Sequence, residues 1–174
     1  AQQAAQENIN IVSGAARGVD ETAMLASLQA GGTAIGIMAD SLLKAATASK
    51  WRTHLQNEQL VLISSYYPEA GFNVGNAMAR NKYIYTAANS ALVVRADQGT
   101  GGTWAGAKEN NENKWVPLFV KQPSDASGNV VLLNKDAHPL VLQQSTEPWL
   151  ANLLNTAQLT HSNNEQPNNL NLFE

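Results

Sequence analysis

The residues whose types and spacing best suit chemistry lie in the segment 13–20, which reads SGAARGVD. An apolar run over residues 9–13 predicts a strand before it, and Asp20 is the expected cap of a helix after it. Glycines let a backbone approach a ligand closely, and N–H groups at a helix start favour negative charge. Arg17 adds a planar fork that suits phosphate. The segment therefore predicts a phosphate-binding turn, with a turn shaped only by packing as the alternative.

A second glycine-rich turn, at residues 99–103 (GTGGT), directly follows a predicted strand and opens a predicted helix. Gly101, Gly102 and Thr103 make it a second candidate cradle for phosphate. No Lys-Ser or Lys-Thr pair follows, so ATP hydrolysis of the P-loop kind is not predicted. Because the carboxyl ends of parallel strands meet at one edge of a sheet, both turns are expected at the same edge.

The composition is typical of a single globular domain: 174 residues, 44% hydrophobic and 14% charged. The absence of cysteine excludes disulfides, thiol catalysis and cysteine metal sites. The three histidines are scattered along the chain, so no metal site is predicted. No apolar stretch approaches the roughly 20 residues that cross a bilayer, and no signal-peptide pattern opens the sequence. We therefore expect a cytoplasmic protein without a membrane partner.

The net charge of −3 hides an asymmetry along the chain. All 11 basic residues lie at or before Lys135, whereas the residues after it carry acidic side chains and no basic ones. A slightly acidic protein still binds nucleic acid where its cations converge, so the overall charge neither favours nor excludes that partner. The Asn-rich stretch over residues 158–174 predicts an acidic, disordered tail.

Apolar and polar runs alternate in a pattern typical of an α/β protein. Strands are predicted at residues 9–13, 33–38, 60–63, 91–94 and 115–120, with shorter ones at 130–133 and 140–142. Helices are predicted at residues 1–7, 20–30, 41–57, 75–88, 103–109 and 147–157. Strands that alternate with helices imply an open, mostly parallel sheet with helices on both faces.

Three segments together resemble one protein family: 13–20 (SGAARGVD), 79–84 (ARNKYI) and 90–103 (SALVVRADQGTGGT). Over about residues 5–142 the sequence is similar to the Rossmann-like domain of the DNA-processing protein DprA family, also called Smf. The resemblance implies one Rossmann-like domain over residues 1–157 that lacks the family's upstream first strand. Two positions depart from the family pattern, Met24 in place of a histidine and Arg95 in place of an acidic residue.

The resemblance implies non-catalytic binding of single-stranded DNA, with no cofactor. Proteins of this family act as homodimers and load a RecA-type recombinase onto DNA in natural transformation, so these are the implied partners. The family's phosphate-binding positions correspond here to Ser13, Gly14, Arg17, Gly18 and Lys82. Arg80 and Asn81 match the same block, with a structural or a ligand-binding role.

The residues themselves leave several roles open. Arg17 either binds phosphate or pairs with Asp20 or Asp40, and Lys82 either contacts a ligand or is only solvated. Base stacking and simple packing are the alternatives for the four tyrosines, Tyr66, Tyr67, Tyr83 and Tyr85. A longer cationic path would add Lys44, Lys50 or Arg52.

A second class of function is a small-nucleotide sensor, or a nucleotide phosphoribohydrolase of the lysine-decarboxylase-like family on the same fold. That family uses the motif P-G-G-x-G-T-x-x-E, whereas residues 101–106 here read GGTWAG. Gly106 stands where the glutamate is needed, and Glu109 lies almost a turn further along. Because that carboxylate is missing, we predict no general acid or base and therefore no enzyme. DNA binding predicts steep salt dependence, whereas a nucleotide site predicts one closed pocket.

Overall fold

A computed structural model describes residues 1–143 and 147–165, in which the chain forms six strands and eight helices. The strands are β1 (Ile11–Ser13), β2 (Ala34–Met38), β3 (Leu60–Ser64), β4 (Ala91–Val93), β5 (Leu118–Gln122) and β6 (His138–Val141). The helices are α1 (Gln2–Gln6), α2 (Val19–Gln29), α3 (Leu42–Thr47), α4 (Ser49–Gln56), α5 (Val74–Thr86), α6 (Gly101–Asn113), α7 (Ser127–Leu133) and α8 (Leu150–Glu165).

The strands form two parallel sheets of three strands each, in the orders β1-β2-β3 and β4-β5-β6. In the first sheet, Ala34 of β2 lies opposite both Ile11 of β1 and Leu60 of β3. In the second sheet, Phe119 of β5 lies opposite Leu92 of β4. No strand ladder joins the two sheets within the described part of the chain. The predicted α/β class, with parallel strands and helices between them, is confirmed.

Helix α2 and helix α4 cover one face of the first sheet. Alternate residues of a strand share a face, and Ala34 and Met38 of β2 pack there with Met24, Trp51 and Leu60. Burial of each large apolar side chain stabilises the fold by roughly 1.5–3 kcal/mol. The outer strand β3 alternates in the same way: Leu60 and Leu62 pack on this core, whereas Val61 and Ile63 are exposed.

The second sheet has helices on both faces. Leu118 and Val120 of β5 pack on one side with Ala107 of α6 and Leu132 of α7. Phe119, between them in sequence, points to the other side and packs against α8. The prediction of helices on both faces of a sheet therefore holds for β4-β5-β6.

Helix α8 is joined to the start of the chain by the carboxylate of Glu7. This carboxylate accepts hydrogen bonds from the backbone N–H groups of Trp149 (3.1 Å), Leu150 (3.1 Å) and Ala151 (2.6 Å). It thereby satisfies N–H groups that the first turn of a helix leaves without partners. Desolvation raises the pKa of Glu7, but these bonds and one from Gln3 outweigh it and lower the pKa to about 2.

Two of the predicted helices differ from the structure. Helix α2 is capped by Gly18 at φ +100°, one residue before Val19, and not by Asp20. The predicted helix over residues 41–57 is divided at Ala48, whose backbone is extended at φ −69° and ψ 136°. Ser41 precedes α3 but makes no side-chain capping bond. The break changes the helical phase, so Trp51 is buried while Leu43 and Ala46 are exposed.

Near the end of the chain, the prediction of a strand at residues 130–133 is wrong because these residues belong to α7. A short apolar run does not distinguish a buried strand from one face of a helix. Pro148 lies two residues before the start of α8. Helix α8 continues to Glu165, beyond the predicted domain end at 157, and residues 166–174 of the predicted tail lie outside the described residues.

Candidate phosphate-binding site

The first glycine-rich turn leaves β1 through two buried residues, Ser13 and Gly14. Gly18 takes φ +100°, a conformation that side chains disfavour, and thereby redirects the chain into α2. At Gly14 the requirement is different, since an added Cβ would lie 2.7 Å from the Cζ atom of Arg80. Two glycines are therefore needed here, one for backbone conformation and one for the close approach of another side chain.

Arg80 of α5 fills the space beside Gly14. The residue is only 6% exposed, and its Nη1 donates hydrogen bonds to the carbonyl oxygens of Gly14 (2.7 Å) and Ile37. Burial lowers the pKa of Arg80, whereas electrostatic attraction by Asp20 and Asp40 opposes that shift. Because these two carbonyls belong to the ends of β1 and β2, one side chain joins α5 to the carboxyl edge of the first sheet.

Asn81, the next residue of α5, contacts the second glycine-rich turn. Its Nδ2 donates a hydrogen bond to the carbonyl oxygen of Gly102 at 3.1 Å. The two helices approach closely at glycines, since a Cβ at Gly106 would lie 3.1 Å from Tyr85 of α5. Consecutive residues of a helix point about 100° apart, which lets Arg80 and Asn81 reach different turns. The structure thus brings both turns to one stretch of α5.

Lys82 and Arg17 are the exposed cations of this arrangement. The Nζ of Lys82 lies 5.1 Å from the centroid of the Tyr83 ring, and the lysine is solvent-exposed. Arg17 is exposed at the tip of the first turn. Neither side chain forms an ion pair with any carboxylate of the described residues, including Asp20 and Asp40. The alternative of a structural pair for Arg17 is therefore not observed, and both cations are accessible to a ligand.

The two turns differ in the charge at the helices they open. The first turn of α2 carries Asp20 and Glu21, and Glu21 pairs with Lys50 at 2.7 Å. The first turn of α6, which includes Gly101, Gly102 and Thr103, carries no acidic residue and is exposed. Since helix N-termini favour anions, the start of α6 is the more suitable of the two for phosphate.

The start of α7 positions the segment that leads from β4 to this second turn. The Oδ1 of Asn129 accepts from the N–H of Ala96 (2.8 Å), and its Nδ2 donates to the carbonyl of Val94 (3.0 Å). The Oγ of Ser127 accepts from the N–H of Gln98 at 3.0 Å. Asn129 is fully buried. These two residues could not be recognised from the sequence, because the helix α7 that presents them was predicted as a strand at residues 130–133.

The four tyrosines divide between packing and exposure. Tyr66 donates its hydroxyl hydrogen to the carbonyl of Asn76 (3.2 Å), and burial raises the pKa of Tyr85 above its ordinary range. Tyr67 and Tyr83 are 71% and 41% exposed. Base stacking is therefore open to Tyr67 and Tyr83 and blocked at Tyr85, whose ring lies against α6 and Trp115.

The additional cations proposed for a longer path have other contacts. Lys50 pairs with Glu21, and the Nη2 of Arg52 donates to the carbonyl of Thr47 at 3.1 Å. Lys44 is exposed beside a shallow cavity between α3 and the loop after β3. Lys44 alone of the three is thus free to extend the path.

Two absences hold for residues 1–143 and 147–165. Within these ranges there is no group of three or more His, Cys, Asp or Glu residues that could hold a metal ion. No described helix is both long enough and apolar enough to span a membrane.

The structure defines a class of protein: a parallel α/β domain with two glycine-rich turns next to one helix and exposed cations beside them. The family model of DNA recombination-mediator protein A matches residues 1–150. The chain therefore belongs to the DNA recombination-mediator protein A family, as its resemblance to DprA implies. A comparison with curated proteins found no match.

Two solved structures share this fold. DNA processing protein A (DprA) from Streptococcus pneumoniae aligns with a TM-score of 0.66 and 22% identity over 80% of this chain and 50% of its own. DNA processing protein A from Helicobacter pylori, whose single-stranded DNA binding mode has been described structurally, aligns with a TM-score of 0.65 and 23% identity. That match covers 89% of this chain and 68% of the H. pylori chain. The protein thus spans half the length of its pneumococcal relative.

Proposed function

We propose that the protein acts in DNA recombination by binding the phosphate groups of single-stranded DNA, and that it catalyses no reaction. The observation that carries the proposal is the arrangement around α5. Arg80 contacts the first glycine-rich turn and Asn81 contacts the second, while Lys82, the next residue of α5, is exposed to solvent. Membership of the recombination-mediator family supports a role in DNA processing, and the H. pylori relative is a single-stranded DNA-binding protein.

An extended phosphate chain suits this edge better than a single nucleotide. The exposed cations Arg17 and Lys82 belong to different elements, and the start of α6 offers N–H groups at a further point. Cations that contact phosphates release counterions, so the affinity should fall steeply with salt. The exposed rings of Tyr67 and Tyr83 offer stacking faces, each worth about 1–3 kcal/mol when a base is bound.

The phosphoribohydrolase alternative is disfavoured by the packing at Gly106. The glutamate of that family's motif would occupy this position, but Gly106 is buried between Tyr85 and Asn81. A Cβ there would lie 3.1 Å from Tyr85 and 3.3 Å from the Nδ2 of Asn81. A glutamate would therefore have to displace the side chains of Tyr85 and Asn81. Mononucleotide binding remains as a competing outcome of the experiment below.

Family membership also supports a proposal about partners. We infer that the protein acts in the cytoplasm as a homodimer and delivers DNA to a RecA-type recombinase during natural transformation. Light scattering on the purified chain tests the first part, because a monomeric mass at micromolar concentration would contradict the homodimer. Stimulation of recombinase filament formation on coated DNA tests the second part.

The direct test of DNA binding is a fluorescence-anisotropy titration of labelled oligo-dT at several salt concentrations. The site variant is Arg17→Gln/Lys82→Gln. The matched control is Lys108→Gln/Lys135→Gln, which removes the same charge from exposed positions further along α6 and after α7. On single strands each phosphate contact contributes about 0.7 to the slope of log affinity against log salt. We expect the site variant to bind more weakly, with the slope reduced by about 1.4, and the control to resemble wild type.

Each remaining outcome is informative. Equal losses in the site variant and the control would place the DNA elsewhere and contradict the assigned site. Salt-independent binding, or none, by the wild-type protein would contradict DNA binding itself. A thermal shift with thymidine monophosphate and no binding of oligo-dT would favour the nucleotide sensor.

A further inference from the structure

Arg95 projects from the segment that α7 holds in place at the carboxyl edge of the second sheet. The backbone groups on either side of it, the carbonyl of Val94 and the N–H of Ala96, are both bonded to Asn129. Ala96 is buried, whereas 59% of the Arg95 side chain is exposed. Asn129 thus orients the segment so that Arg95 faces solvent, two residues beyond β4 and shortly before the second glycine-rich turn.

Two carboxylates share this guanidinium. The Nη1 of Arg95 lies 3.2 Å from the Oδ1 of Asp125, and its Nη2 lies 3.7 Å from the Oδ1 of Asp97. All three side chains are largely exposed, with 57% of Asp97 and 92% of Asp125 accessible. Exposed ion pairs contribute little because water and salt screen them, so another anion readily replaces a carboxylate. A guanidinium also presents five N–H donors in a fork that matches phosphate oxygens.

We propose that Arg95 binds a further phosphate of single-stranded DNA, and that Asp97 and Asp125 weaken this contact by competing for the guanidinium. The inference rests on the proposed function and extends the phosphate path beyond Lys82 to the second sheet. Arg95 lies at the same carboxyl edge as the start of α6, whose first helical turn carries no acidic residue. The three side chains together carry one net negative charge, so the DNA must displace a carboxylate before it gains the arginine.

The test compares two site variants with controls in an ion pair of similar exposure. Arg95→Gln removes the cation and Asp125→Asn removes a competitor. The controls are Lys108→Gln and Glu112→Gln, which belong to an exposed pair on α6 with 59% and 61% of the side chains accessible. Binding of labelled oligo-dT is measured by anisotropy from low to high salt, with urea unfolding as a check that each variant is as stable as wild type.

We expect Arg95→Gln to lower the slope of log affinity against log salt by about 0.7, the contribution of one phosphate contact. If the variant and the wild-type protein bind equally at about 1 M salt, a slope lower by about 0.7 means that the variant binds roughly eightfold more weakly than wild type at about 50 mM salt. Asp125→Asn should bind severalfold more tightly than wild type at low salt, and Glu112→Gln should not. The two control variants should keep the wild-type slope of log affinity against log salt, or change it only by the small effect of one distant charge that salt screens.

The outcomes separate this inference from the function on which it rests. If Arg95→Gln binds like Lys108→Gln while Arg17→Gln/Lys82→Gln loses binding, the DNA path ends before Arg95 and only this inference fails. If Asp125→Asn binds no more tightly than Glu112→Gln, the competition is refuted. Absence of salt-dependent DNA binding by the wild-type protein overturns both the function and the inference.

Discussion

Replacing Gly14 by alanine should destabilise the protein through one collision, with the guanidinium of Arg80. The added Cβ would lie 2.7 Å from both Cζ and Nη2 of Arg80, far inside normal van der Waals separation. Gly14 itself does not have a positive φ, so alanine is compatible with its backbone. The guanidinium cannot move freely, because Nη1 is bonded to the carbonyls of Gly14 and Ile37. Overpacking of this kind costs about 1–3 kcal/mol.

A double-mutant cycle with Arg80→Met isolates this contact. The single change Arg80→Met removes charge-assisted hydrogen bonds worth about 1.5–3 kcal/mol and leaves two buried carbonyls without their donor. Methionine is flexible and has no planar group at this position. In its presence Gly14→Ala should cost less than about 0.5 kcal/mol, which gives an interaction energy of about 0.5–3 kcal/mol between the sites.

Urea unfolding followed by tryptophan fluorescence measures each corner of the cycle, with Trp51 buried in the core of the first sheet. Gly71→Ala is the matched control, since its added Cβ meets nothing within 4 Å and its φ is not positive. The control should change the free energy of unfolding by less than about 0.5 kcal/mol. Equal costs of Gly14→Ala in both backgrounds would refute the collision. If Arg80→Met does not fold, a Gly14→Ala effect as small as the control's refutes it instead.

Two other changes test contacts outside this pair. Glu7→Gln should weaken the docking of α8. Folding lowers the pKa of Glu7 from 4.5 to about 2. The stability that the ionised carboxylate adds is therefore fully present above pH 4.5 and is lost as the pH falls toward 2. The stability difference between wild type and Glu7→Gln should therefore shrink over that range in urea titrations; a constant difference would contradict the assigned hydrogen bonds. Asn129→Ala should cost about 2–3 kcal/mol, since it leaves buried groups of Val94 and Ala96 unpaired, whereas Asn113→Ala on the exposed side of α6 should cost less than about 1 kcal/mol. Similar unfolding free energies for these two asparagine variants would show that Asn129 does not hold the segment after β4.

The helices and strands could be predicted where the local sequence pattern allows only one interpretation. The apolar, β-branched run over residues 33–38 is too short for a helix and predicts the buried strand found as β2. The glycine-rich turns were predictable because small residues directly follow strands. The division of α3 from α4 at Ala48 was not, since no proline or glycine marks it; the extended Ala48 packs against the core of the first sheet, a contact that the local sequence does not reveal.

The arrangement of the candidate site was only partly predictable. Segment order places both turns at carboxyl ends of strands, but the burial of Arg80 depends on Gly14 and Ile37, which lie 66 and 43 residues away in sequence. Nothing local distinguishes Arg80 from the exposed Lys82 two positions later. The hydrogen bonds of Asn129 likewise join residues more than 30 positions apart. Contacts of this kind follow from the assembled fold and have no signature within one segment.

The bond between Glu7 and α8 has a consequence for the order of folding. Each three-stranded sheet is built from consecutive segments, so its pairings close short loops, whereas Glu7 meets residues 142 to 144 positions further along the chain. Loop-closure entropy rises with the length of chain enclosed, so contacts between segments this far apart in sequence form late. Interactions absent from the folding transition state change the unfolding rate and leave the folding rate almost unchanged. Helix α8 is therefore expected to dock last and detach first, exposing Phe119 while the rest of the second sheet remains folded.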